Sequence, residues 1–303
     1  MKKRRLGSSD LYVSELGLGC MSIGTDENTA LNIIETALEE GVNYFDTADL
    51  YDAGENEKLV GEALKKVRDQ VIIATKAGNR WKPDKTGWTW DPSKAYIKEA
   101  VKGSLKRLGT DYIDLYQLHG GTIQDPIDET IEAFEELKAE GLIRYYGISS
   151  IRPNVIREYV KKSNIVSVMM QYSMLDRRPE EEALPLLEEH GISVVTRGPV
   201  AKGLLSDMLL EKAADAGYLD YSLQDLQEIL PLLKEKLAAQ RPFTEVALHY
   251  NLANPAVASI VAGASSPNQV KQNAAAVNSK PLTEDEIAVI KKLTKANTYK
   301  EHR

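Results

Sequence analysis

Short apolar runs, each followed by a turn and a longer stretch of helical spacing, recur about eight times along the chain. The runs fall at residues 16–19, 42–46, 71–75, 113–118, 145–148, 166–170, 193–196 and 259–261. Helix-boundary residues mark several of the intervening stretches. Asn28 opens one that ends at Gly41, Pro92 and Ser93 introduce one ending near Gly109, Asp128 opens one ending at Gly141, and the stretch 180–190 stops at Gly191. Strict alternation selects parallel strands, because only a long crossover returns the chain to the same end of a sheet. Two closures satisfy it, an α/β barrel of the (β/α)8 TIM type and an open doubly wound sheet, and eight units within 303 residues favour the barrel. Gly17, Gly19 and Gly24 do not make a dinucleotide fingerprint, since the third glycine comes too late.

Ahead of the first run, residues 4–6 and 11–13 flank Gly7-Ser8-Ser9-Asp10, which predicts a hairpin able to close the barrel floor. The connection 202–242 is long and contains a helical stretch at 223–239; long excursions at this rim are often functional. Thr283 and Glu286 form a capping-box pattern for a terminal helix through Lys295. No linker or low-complexity tract interrupts the pattern, so one domain is expected over 1–303.

Charge and cysteine usage narrow the partners. Lys and Arg (38) are interspersed with Asp and Glu (45) for a net charge of −7, leaving no basic stripe for a nucleic acid backbone. Cys20, the only cysteine, rules out an intramolecular disulfide or a thiolate cluster and fits a reducing, cytoplasmic setting. The basic N-terminus lacks the apolar core of a signal peptide, and no run of about 18 apolar residues suggests a membrane span. His119, His190, His249 and His302 form no ligand-spaced pair, so no metal is expected.

Asp46, Tyr51, Lys76 and His119 stand where three of the apolar runs stop. In a parallel barrel these strand ends share one rim, so residues far apart in sequence converge there. A phenol has a pKa of about 10, and a nearby ammonium stabilises the phenolate and should lower it. Lys76 supplies that ammonium, Asp46 holds it, and the His119 imidazole can donate to a substrate oxygen. Such a set delivers a proton to an oxygen gaining negative charge, as a carbonyl does when hydride reaches its carbon; side chains cannot supply the hydride, so a cofactor must. Singly, each residue also has a structural reading: Asp46 as a turn cap, Lys76 as a solvated charge, His119 as a hydrogen-bonded rim residue, and Tyr51 as one tyrosine among many. Four such coincidences at successive strand ends are much less probable than any one.

At this point the chain resembles the aldo-keto reductase family, over residues 7–273. The motifs are Gly41-Val42-Asn43-Tyr44-Phe45-Asp46-Thr47-Ala48 with Tyr51, Ala74-Thr75-Lys76, Leu108-Gly109-Thr110-Asp111-Tyr112-Ile113-Asp114-Leu115 leading to His119, and Gly141-Leu142-Ile143-Arg144. Gly147-Ile148-Ser149-Ser150, Gln171-Tyr172-Ser173, Arg197-Gly198-Pro199-Val200 and the segment from Gly263 to Asn273 complete it, and the likeness is closest to bacterial members. The resemblance implies a nicotinamide cofactor, NADPH, lying extended across the rim, with Tyr51 as general acid and Asp46, Lys76 and His119 in support. It places Ser149 and Gln171 on the carboxamide, with Gly19, Cys20, Met21, Asp46 and Ser150 also against the cofactor. Arg197 stands where many relatives carry an aromatic residue that stacks on the nicotinamide; a guanidinium is planar but adds charge. Gly198, Pro199, Val200, Lys202, Gly203 and Leu204 would follow the pyrophosphate. Gly263, Ser265, Gln269, Gln272 and Asn273 would meet the adenosine end, with Lys271 as a nearby charge and no Arg or Lys at 263 or 265. Trp81, Trp88 and Trp90, with Tyr51 and His119, would wall a pocket for medium-length or aromatic carbonyls, loop packing being the other reading of the tryptophans. The implied activity is reduction of aldehydes and ketones by a monomer acting on a small molecule; the alternative is a non-enzymatic NADP(H)-sensing subunit.

Overall fold

The computed structural model describes residues 1–206, 217–239 and 241–303, so the long connection expected at 202–242 lies partly outside the described residues. Two short strands, β1 (Lys3–Arg5) and β2 (Tyr12–Ser14), form the expected antiparallel hairpin. Eight parallel strands then close into a barrel: β3 (Leu16–Gly19), β4 (Tyr44–Asp46), β5 (Ile72–Ala77), β8 (Ile113–Leu118), β9 (Ile143–Ser149), β10 (Ser167–Gln171), β11 (Ser193–Arg197) and β12 (Val257–Gly263). Each expected run is a strand. Pairing with neighbours carries β9 and β12 beyond the apolar residues that signal them, to Ser149 and Gly263.

Helices pack outside this barrel: α1 (Glu27–Glu39), α2 (Glu55–Leu64), α3 (Lys94–Leu108), α4 (Ile127–Ala139), α5 (Pro153–Lys162), α6 (Ala183–Glu189), α7 (Leu223–Leu237), α8 (Phe243–Leu252), α9 (Pro267–Val277) and α10 (Glu284–Leu293). Three starts differ from the expected ones, since α6 begins at Ala183 rather than at 180, behind a separate tight turn at Arg178–Glu180. Asp26, not Asn28, caps α1 by accepting from the Thr29 amide, and α4 begins at Ile127 with Asp128 inside its first turn, where a carboxylate favours the positive end of the helix dipole. Ser93 caps α3, Gly109 ends it in the left-handed conformation, and Thr283 with Glu286 forms the capping box of α10. The tryptophan segment, read as merely extended, is a second hairpin of β6 (Asn79–Trp81) and β7 (Trp88–Trp90) standing on the rim.

Side chains alternate along a strand, and that parity decides what reaches the lumen. Tyr44, Ile72, Ala74, Leu115, Met169 and Val195 share one buried cluster with Leu6, Leu11 and Val13 of the first hairpin, which closes the floor. Two residues further along, the same parity presents Asp46 after Tyr44, Lys76 after Ala74, Gln117 after Leu115, Gln171 after Met169 and Arg197 after Val195. The register sets Lys76 beside Gln117 and Gln171 beside Arg197. An apolar lumen below thus becomes a polar one at the carboxyl rim.

Candidate active site

Lys76 is 1% exposed at the top of β5, a position tolerable for an ammonium only with fixed partners. Its Nζ donates to Asp46 Oδ2 at 2.6 Å, to the Thr47 carbonyl at 2.8 Å and to Tyr51 Oη at 3.3 Å. Burial opposes the lysine charge, yet Asp46 and Tyr51 hold its pKa above the ordinary value. Gln117 Nε2 lies 3.5 Å from the second oxygen of Asp46. The His119 ring meets Tyr51 edge-on, with centroids 5.8 Å apart. Burial, reinforced by the charges of Lys76 and Arg197, drives the imidazole pKa down to about 3, so His119 is neutral at working pH.

Tyr51 corrects one expectation. Lys76 does pull the phenol toward ionisation, but burial outweighs it, and the pKa lies above 10.0. The phenol therefore holds its proton at neutral pH, beside an ammonium whose charge favours its anion.

The loop that presents Tyr51 is built against its local preferences. The Tyr51 amide donates to the Ala48 carbonyl at 3.1 Å, and Asp52, Ala53 and Gly54 then take φ of +48°, +52° and +91°. A Cβ on Gly54 would lie 2.6 Å from Arg107 Cδ and take a strained φ, so any other residue would have to push that arginine aside. Arg107 is held by Glu57 at 2.6 Å, and the buried Glu57 also accepts from Thr75 Oγ1 at 2.6 Å. Asp49, in the same loop, is buried with its Oδ2 3.5 Å from Tyr96 Oη; burial, aided by the charge of Glu57, raises its pKa from 3.8 to about 8. Above about pH 5 the unfolded chain has lost this proton while the folded protein keeps it, so stability falls as pH rises toward 8, by up to about 1.4 kcal/mol per pH unit. Asp49→Asn removes that titration. Its melting temperature relative to the parent should climb between about pH 6 and about pH 8.5, by several degrees; an offset constant with pH would contradict the assignment.

Above Tyr51, Lys76 and His119 opens a cavity of about 650 Å³ whose walls include Leu50, Trp88, Trp90 and Ile151. Trp90 Nε1 donates to Asp125 at 3.0 Å, which fixes that wall. Trp81 does not line this cavity; it borders a shallower dent beside Met21 and Trp88. Met21, Ser149, Ser150 and Arg197 line the cavity as well. Gly19 is buried at the end of β3, and Cys20 is fully buried with its thiol against the Leu18 carbonyl at 3.6 Å, so it does not line the cavity.

Gln171 is fixed by three partners: Nε2 donates to Asp176 at 2.9 Å and Tyr218 at 3.1 Å, and Oε1 accepts from Arg197 at 3.1 Å. Beyond Arg197, Gly198 and Gly203 adopt φ of +65° and +93°, Lys202 is exposed, and Pro199 and Leu204 are buried with Val200 half-buried. Gly263 ends β12, and Ser265, Gln269, Lys271 and Gln272 lie exposed around the start of α9, where the Gln269 side chain accepts from the Ser265 amide at 2.8 Å. Asn273 instead faces a narrow crevice beside Val270 and Leu16. Gln117, the Thr47 carbonyl, Asn79 and Arg152 belong to the site without having been anticipated. Gln117 carries a readable signal, since it lies two residues before His119 on the same parity. Among the described residues, no three of His, Cys, Asp or Glu gather to hold a metal ion, and no helix is long and apolar enough to cross a membrane.

Proton-carrying groups at a strand-end rim beneath a partly aromatic cavity define a β/α-barrel enzyme site. Comparison with known proteins narrows that class: residues 15–295 match the Aldo/keto reductase family, and the chain belongs to it, an oxidoreductase of carbonyl compounds whose family uses nicotinamide cofactors. It is 62% identical to the uncharacterized oxidoreductase YqkF of Bacillus subtilis (strain 168) across 100% of both chains. It is 34% identical to the NADH-specific methylglyoxal reductase of Escherichia coli (strain K12), covering 92% of this chain and 94% of that one. Among solved structures, aldo-keto reductase AKR11C1 from Bacillus halodurans matches in its holo form with a TM-score of 0.95 at 64% identity, covering 100% of this chain and 99% of that one. Its apo form covers the same shares with a TM-score of 0.86 at 60% identity.

Proposed function

We propose that this protein reduces aldehydes or ketones to alcohols with NADPH, and that Tyr51 protonates the carbonyl oxygen. The observation that carries the reading is the Lys76 ammonium, locked by Asp46 at 2.6 Å and reaching Tyr51 Oη at 3.3 Å on the floor of an open cavity. A substrate oxygen seated against Tyr51 and the neutral His119 finds two polar groups able to donate to it. As the phenol releases its proton, the charge it acquires is met by Lys76, while Asp46 prevents the ammonium from wandering.

The rim residues fit a nicotinamide dinucleotide. Arg197 and Lys202 are exposed cations there, and Gly198 and Gly203 offer left-handed backbone free of a Cβ. When bound, the reduced cofactor supplies the hydride. Ser149 and Gln171 would orient it, Gln171 being held by Asp176, Tyr218 and Arg197. Ser265, Gln269 and Lys271 at the exposed start of α9 would meet a 2′-phosphate, an arrangement weaker than one with Arg at 263 or 265 by about 1 kcal/mol or more. A sensing role would leave the buried ion pair and phenol without a use, and no feature of the described residues favours it. Fluorescence titration with NADPH and NADH, followed by a panel of aldehydes with the tighter one, tests the whole reading. NADPH binding the tighter and being oxidised by an aldehyde is expected; preference for NADH overturns the cofactor choice, and binding without oxidation overturns the activity.

A further inference from the structure

We infer that Arg152 selects substrates carrying a carboxylate at the end remote from the reacting carbonyl; the inference rests on the reductase reading and names its substrate class. Arg152 stands three residues beyond the end of β9, at the N-cap of α5, and lines the cavity. Two contacts pin it there: its amide donates to Ser150 Oγ at 3.2 Å and its Nη1 to the Gly121 carbonyl at 2.6 Å. A guanidinium has five N–H donors, and Nη1 alone is engaged through its side chain, which leaves Nε and Nη2 for a ligand. Neighbouring arginines are paired with acids, Arg144 with Asp10 and Asp114, Arg157 with Glu182, and Arg178 with Asp176. Arg152 has no carboxylate within ion-pair distance among the described residues.

The cavity wall repeats the asymmetry. Among the described residues, Lys76, Arg152 and Arg197 line it and no Asp or Glu does, although the chain as a whole carries a net charge of −7. Lys76 is neutralised by Asp46, and Arg197 is bonded to Gln171 on the side proposed for the cofactor. Among the described residues lining the cavity, Arg152 is the cation left to the substrate. A planar fork with two adjacent donors matches a carboxylate in two-point geometry, and partial burial beside Trp90 and Ile151 strengthens such a pair over one in open water. The apolar walls would take the body of the molecule between its two polar ends, an aldehyde at Tyr51 and a carboxylate at Arg152.

The test compares 4-carboxybenzaldehyde with benzaldehyde in the wild type, Arg152→Met and Arg152→Lys, with NADPH saturating. The wild type should favour the carboxylated aldehyde in kcat/KM by about tenfold. Arg152→Met should abolish that ratio, mainly through KM, and Arg152→Lys should keep part of it. A ratio unchanged in Arg152→Met overturns the inference, as does a parallel loss on both aldehydes, which would mark Arg152 as a brace for Gly121. If neither aldehyde is reduced by the wild type, the reductase reading fails by itself. Terephthalate binding to the NADPH-loaded protein, read as a rise in melting temperature, then decides for Arg152: a rise lost in Arg152→Met supports a carboxylate site, and no rise in the wild type overturns it.

Discussion

Tyr51→Phe should lower kcat/KM for every aldehyde by about 10²- to 10⁴-fold, the usual worth of a positioned acid, while leaving cofactor affinity nearly intact. One hydroxyl is removed and little else changes. The ring can keep its edge-on contact with His119, and Lys76 retains Asp46 and the Thr47 carbonyl as partners. Steady-state kinetics together with a cofactor titration on the same preparation separate the two effects. Turnover within a few-fold of the parent would show that the proton comes from elsewhere. The electrostatics add a pH signature: His119 stays neutral down to about 3, and burial keeps the phenol protonated beyond its ordinary range. Neither group should impose an inflection on kcat between about pH 5 and about pH 9.

The second large effect concerns stability. Asp46→Asn leaves the Lys76 ammonium buried with no opposing charge, at a cost of about 3–5 kcal/mol and a fall in melting temperature on the order of 10 °C. Lys76→Met should cost less, because burial already pushes the Asp46 carboxyl upward and protonation relieves the unpaired site. With both changes together neither charge remains, so the double variant should be more stable than Asp46→Asn alone. Thermal denaturation of the four proteins completes the cycle. Losses that simply add would show that the pair is not coupled as its 2.6 Å contact implies.

The barrel strands were legible because each is a short run dominated by apolar residues between turn signals, even where Asp114, Gln117 or Arg144 interrupts it, and the four central site residues because each stands at or just beyond the end of such a run on the rim. What stayed hidden depends on tertiary surroundings. The Trp81–Trp88 hairpin consists of strands of three residues each, too short to show a period. Asp52 and Ala53 occupy left-handed backbone that their residue types do not announce, yet they help shape the loop that presents Tyr51. Asp26 and Asn28 are both good caps, and only the path of the chain chose the first. The direction of the Tyr51 shift is hidden for a related reason: the ammonium can be foreseen from Lys76, whereas the desolvation that exceeds it comes from the walls around the phenol.

A hydride donor on this rim and a proton donor on the cavity floor are expected to act on one carbonyl. Reduced cofactor bearing deuterium at the transferable position of its nicotinamide, mixed with the protein and an aromatic aldehyde, tests it directly. The predicted product is an alcohol with deuterium on the former carbonyl carbon, formed one for one with oxidised cofactor. An alcohol without the label, or bound cofactor that stays reduced before every carbonyl offered, would contradict the account.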